Sequence, residues 1–151
     1  MQEDSPLYNA REELKRCSHS INVTLKYTRT CDVIKTIILK YISSFDQAMI
    51  SLFEHLHSQD KIKDIPLTPL SRAEILKKHF NRDLELRGFI DFYLLLKKID
   101  RAEYTKREEF RKNVTLVVMQ NDEVLEVSVP TLFEYYEKTR EFLDYLDNKF
   151  F

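Results

Sequence analysis

The sequence predicts a mainly α-helical protein: an antiparallel up-and-down bundle of four to five helices, with a small β-hairpin before the C-terminal helix. Three observations carry that expectation. Apolar residues recur every three or four positions over most of the chain. Breakers are scarce, with one glycine and four prolines in 151 residues. The one stretch that alternates instead is short and centres on Asn121-Asp122-Glu123. The length suits a single domain, with the bundle over about residues 5–113, the hairpin over about 114–129 and the last helix over about 130–149.

Helix one is expected from a Ser5 cap and Pro6 at its first position, with Leu7, Ala10, Leu14, Cys17, Ile21 and Leu25 as its apolar stripe, to about Tyr27. Thr30 caps the second, whose stripe runs from Val33 through Ile37, Tyr41, Phe45, Ala48 and Leu52 to Leu56. Its β-branched residues suit a strand locally, but the period is helical and the run is too long for one strand. Residues 58–70 hold two prolines and read as a loop. Ser71 and Glu74 fit a capping box for helix three, which carries Ile75, Leu76 and Phe80. A turn at Asn81 to Asp83 precedes helix four, from Leu84 or Leu86 to Ile99, where Gly88 suggests close helix packing. TLVVMQ and VLEVSV then form the hairpin arms. Thr131 and Glu134 fit a second capping box, opening a helix lined by Leu132, Tyr136, Thr139, Leu143 and Leu146. Phe150 and Phe151 suggest a docked end, at a subunit interface.

Composition narrows the function classes. Charged residues make up 32% and hydrophobic residues 43%, which is a soluble globular balance. The longest apolar region is broken by Lys35, Lys40, Asp46 and Glu54, so no membrane span is expected. The charged start MQEDSPLYNAREELKR lacks the apolar core of a signal peptide, and a cytoplasmic location is expected. Scarce breakers with abundant Lys, Glu and Ile also suit a thermophile. Cys17 and Cys31 stand apart without metal-ligand spacing and read as buried free thiols. His55 and His57 are two apart on a helix and face different ways, and His19 stands alone; no metal and no cofactor is expected. Net charge is only −1, yet residues 61–112 carry 14 basic against 9 acidic side chains, and residues 113–151 carry 3 against 8. That asymmetry suits an anion-binding face or a self-complementary pairing of subunits.

Two groups of residues bear on function. Arg72 and His79 lie about two helical turns apart, an arrangement in which a guanidinium steadies a phosphate while an imidazole moves a proton. These are the weak catalytic candidates. Tyr104, Lys106, Arg107, Arg111, Lys112 and Asn113 follow helix four, with Tyr93 near its end, and mix cations with aromatics as phosphate-holding, base-stacking surfaces do. Arg107 and Arg111, four apart, share a face if this segment is helical.

The order SSFDQAMISLFEHLH, IPLTPLSRAEIL and DLELRGFIDFYLLLKKIDRAEYTKREEF, over roughly residues 30–113, resembles a HEPN domain (higher eukaryotes and prokaryotes nucleotide-binding) of the archaeal type. The resemblance implies a four- or five-helix bundle, usually a homodimer. Members include ribonucleases and toxins of toxin-antitoxin pairs, nucleotide binders, and companions of a small nucleotidyltransferase. Ribonuclease members carry an arginine followed, after four to six residues, by a histidine near the start of the last bundle helix. Here Arg107 and Arg111 have no such histidine, and Arg72 with His79 meets the spacing one helix too early. The expectation is therefore a non-catalytic binding module for a nucleotide, RNA or a protein partner, acting through the segment after helix four. The alternatives are a metal-independent, toxin-like ribonuclease and a structural interaction protein without a nucleic-acid ligand.

Overall fold

The first apolar stripe is buried along its length, from Leu7 at 0% exposed to Leu25 at 2%, and it forms α1 (Tyr8–His19), a π-helical turn (Ser20–Thr24) and the short α2 (Leu25–Tyr27). The computed structural model describes residues 5–151. The π-turn answers a spacing problem. Cys17 and Leu25 are eight residues apart, which in a regular α-helix overshoots two turns by about 80°; a wider turn takes up the excess and keeps both on the core. The expected Ser5 cap is not formed. Leu7 holds the cap position without a side-chain bond, and Ser5 instead accepts the Tyr8 amide through its carbonyl.

Thr30 caps α3 (Cys31–Ser58) as expected, its hydroxyl accepting the Val33 amide. After the loop come α4 (Pro69–His79) and α5 (Leu84–Arg101), the latter capped by Asp83 at the Leu86 amide. The last helix is α6 (Val129–Phe150). Both expected capping boxes are displaced one turn upstream. Thr68 caps α4 at the Ser71 amide and Ser128 caps α6 at the Thr131 amide. Proline is the reason: Pro69 and Pro130 lie inside the first turn, where a missing N–H costs nothing, so the cap precedes them. Gly88 also departs from expectation. It is exposed, and a Cβ there would meet nothing within 4 Å.

The hairpin is one part of a three-stranded antiparallel sheet, β1 (Glu103–Arg107), β2 (Thr115–Gln120) and β3 (Glu123–Val127), in that spatial order. Asn121 and Asp122, with φ of 42° and 67°, supply the tight β2–β3 turn. The segment after α5 is thus a strand and not a helix end or linker. Arg107 sits on a strand and Arg111 in the turn after it, so they share no helical face. The sheet's core face carries Leu116, Val118 and Val127, all at 0% exposure, with Tyr104 and Lys106 in the same rows on β1.

Between α3, α5 and α6 lies an aromatic cluster. Phe45 stacks on Phe142 at 4.6 Å and meets Phe92 and Tyr93 at 5.8 Å each. Buried polar ties join α3 to α6 and to α1: Tyr41 Oη donates to the Leu132 carbonyl at 2.6 Å, and Ser44 Oγ to the Ala10 carbonyl at 2.9 Å. Arg11 joins α1 to Asp144 (2.9 Å) and Asp147 (2.5 Å) of α6. Asp83, besides capping α5, accepts from Tyr145 and Lys149 of α6. Phe150 and Phe151 dock within the chain, Phe150 on Phe80 and Phe151 edge-on to His55. No described helix is long and apolar enough to cross a membrane.

Candidate functional site

The six residues expected to bind are divided by the structure. Tyr104 and Lys106 point with β1's core-side row toward the start of α3. There Lys35 Nζ sits 4.4 Å over the Tyr104 ring, and Lys106 pairs with Asp32 (3.8 Å) and Glu109 (3.5 Å). Asp32 and Glu109 raise the Lys106 pKa. On the outer face, Arg107 donates to Glu126 of β3 at 2.8 Å, which raises the arginine pKa and lowers that of the carboxyl. These cations have acidic neighbours and offer little net field to a ligand. Asn113 contributes its carbonyl to the Thr115 hydroxyl. Tyr93 is fully buried, its hydroxyl donating to Asp46 at 2.5 Å, so no base can stack on it.

Arg111 and Lys112 are different. Both are exposed, and neither side chain is ion-paired or hydrogen-bonded to another described residue. They sit in the turn between β1 and β2, which adopts positive φ at Glu108 (53°) and Phe110 (66°). Two bonds tie this turn to the α2–α3 connection. The Phe110 amide donates to the Arg29 carbonyl at 2.7 Å, and Glu109 accepts the Cys31 amide at 3.1 Å.

That tie brings Lys112 to a cleft of about 190 Å³ whose other polar lining residues are Asn22, Lys26 and Arg29. Its apolar lining is Ile21, Leu25, Val129 and Phe133. Lys26 and Arg29, like Lys112, have no ion-pair partner among the described residues. Asn22 is held by donating from Nδ2 to Ser18, which leaves its side-chain carbonyl as acceptor. Three cations with uncompensated charge over an apolar lining can hold a phosphate or another anion whose attached group is apolar or aromatic. Lys26, Arg29 and Asn22 were not among the sequence candidates. They lie about 85 residues before Lys112, and the only local signal for them was Lys26-Tyr27-Thr28-Arg29 at a helix end.

Arg72 and His79 stand at opposite ends of α4. The Arg72 guanidinium is engaged by the carbonyls of Pro66 (3.0 Å) and Leu67 (3.2 Å), and His79 is the last helical residue, edge-on to Phe80 at 4.7 Å. Cys17 and Cys31 are free and buried, and burial raises both thiol pKa values, which disfavours the reactive thiolate. Burial likewise raises the Asp46 carboxyl, against the Tyr93 hydrogen bond that lowers it. Among the described residues no group of three or more His, Cys, Asp or Glu is placed to hold a metal ion. No family model, no curated protein and no solved structure matches this chain.

Proposed function

We propose that this chain is a HEPN-like helical bundle of up-and-down type that acts in the cytoplasm as a non-catalytic binding module. Its ligand is a nucleotide or single-stranded RNA, held by phosphate at the cleft between the π-turn and the β1–β2 turn. The observation that carries the reading is the convergence of Lys26, Arg29 and Lys112, without ion-pair partners among the described residues, over Ile21, Leu25 and Phe133. Arg111 and the 78% exposed Phe110 extend the same face. A ribonuclease reading has no comparable support, because Arg72 is engaged by loop carbonyls and His79 lies at the far end of its helix.

Binding of a labelled single-stranded RNA, followed by fluorescence polarisation, tests this. Affinity should fall with rising salt with a log–log slope near −2, as about three phosphate contacts at ~0.7 each would give for a single strand. Lys26→Ala with Lys112→Ala should weaken binding at least about tenfold and flatten that slope, as loss of two phosphate contacts requires. No binding at low salt refutes the proposal, and so does equal binding by the double variant. Capture of a protein partner without RNA binding would assign the face to protein recognition instead.

A further inference from the structure

The sheet has an open edge. β1 is an outer strand, paired only to β2, and the loop and cap hydrogen bonds of the described residues include none to its main chain. Four of its five residues, Glu103, Thr105, Lys106 and Arg107, are exposed. Charged residues on an edge ordinarily discourage pairing with other strands. Here their order does the reverse.

Laid antiparallel against itself about Thr105, the strand Glu103-Tyr104-Thr105-Lys106-Arg107 is self-complementary. Glu103 falls opposite Arg107, Tyr104 opposite Lys106, and Thr105 opposite Thr105, each pair on one face of the sheet. These are an ion pair, a lysine beside a tyrosine that the chain's own Lys35 already covers, and a hydroxyl pair, with the first two occurring twice by symmetry, and the ion pair sets the register. We infer that β1 is a homodimerisation edge: two copies join through their β1 strands about a two-fold axis, making one continuous six-stranded antiparallel sheet.

The register is selective. A two-fold axis perpendicular to the sheet keeps the helices of both copies on one face and allows only shifts of two residues. One such shift sets Lys106 opposite Lys106, and the other sets Arg107 opposite Arg101. Only the Thr105-centred register pairs unlike charges. Arg107 already donates to Glu126 on its own chain, and a guanidinium has donors enough to hold a second carboxylate. The interface is small, so the expected dissociation constant is on the order of 10–100 µM.

This inference does not rest on the ligand proposal, since the cleft residues lie outside β1. The experiment is sedimentation velocity of the full chain over roughly micromolar to millimolar concentrations, with circular dichroism as the folding check. Glu103→Arg and Arg107→Glu should each shift the chain toward monomer by at least about tenfold in dissociation constant, because each sets like charges opposite at two symmetric positions. Mixing the two single variants should restore the dimer as a heterodimer, and Glu103→Arg combined with Arg107→Glu in one chain should restore the homodimer. A chain that stays monomeric at millimolar concentration overturns the inference. So does a dimer that neither charge reversal weakens, or one that the mixture does not rescue.

Discussion

Replacing Asp83 tests how α5 is tied to α6. Its carboxylate makes three bonds, capping α5 through the Leu86 amide and accepting from Tyr145 and Lys149 near the end of α6. Loss of an N-cap costs about 1 kcal/mol. Loss of the tyrosine bond to a charged acceptor costs about 1.5 kcal/mol, and the half-exposed lysine pair adds at most about 0.5 kcal/mol after solvent screening. Asp83→Ala should therefore destabilise the chain by about 2 to 3 kcal/mol in urea denaturation at pH 7. Asp83→Asn keeps the cap acceptor but sets an amide NH2 where the second carboxylate oxygen accepted from Tyr145 and Lys149, so it should cost about 1 to 2 kcal/mol. The sign with pH follows from the acid's position. Burial pushes the Asp83 pKa up, but the bonds from Lys149, Tyr145 and the Leu86 amide outweigh it and hold the carboxyl at about 2, below its usual 3.8. A depressed acid stabilises the fold fully above its unfolded pKa, and that contribution is lost as pH falls through the folded value. The advantage of the natural chain over Asp83→Asn should thus be constant above about pH 5 and shrink from pH 4 toward pH 2. An Ala variant within about 0.5 kcal/mol of the natural chain refutes the reasoning. A gap to Asn that does not change down to pH 2 refutes the electrostatic part.

Four further substitutions probe packing and caps by the same denaturation assay. Gly88→Ala should stabilise by about 0.5 to 1 kcal/mol, since the site is an exposed helix interior with open space around the missing Cβ; a loss would show that the glycine answers to a contact outside this chain. Phe45→Ala should cost about 3 to 5 kcal/mol, as it empties the centre of the ring cluster with Phe142, Phe92 and Tyr93. Ser128→Ala should cost about 1 kcal/mol and more than Glu134→Ala, because the α6 cap is Ser128 and not a Thr131–Glu134 box.

Helical periodicity was legible because it is written into burial: every stripe residue of helix one, and the α3 stripe from Ile37 to Leu56, lies on the core. The strand β1 was not legible. Four of its five residues are exposed, so the apolar alternation that marks a strand has no cause there, and the strongly helical run of α5 ends only two residues before it. The caps of α4 and α6 lie upstream of the Ser71–Glu74 and Thr131–Glu134 patterns for a local reason: Pro69 and Pro130, which mark a loop or a helix start in sequence, occupy the first turns. The cleft is a third kind of case. Lys112 stands out among its sequence neighbours, whereas Lys26 and Arg29 meet it through the Phe110–Arg29 and Cys31–Glu109 bonds and the packing of α6, and none of these relations has a signature in local spacing. Lys106 and Arg107 looked as promising as Lys112, and only the positions of Asp32, Glu109 and Glu126 separate them.

The widened turn at Ser20–Thr24 has a meaning for which parts of the sequence the fold requires. With one residue removed there, Cys17 and Leu25 would be seven apart, within about 20° of two regular turns, and an ordinary α-helix would still bury both. The core therefore has no need of the additional residue. What that residue supports is the wall of the cleft, where Ile21 and Asn22 stand beside Lys26. A single deletion among its exposed residues, Asn22 to Thr24, would keep Ser20 and Ile21 on the core while remodelling the basic face, which makes these three positions a place where that surface can change with little cost to the core.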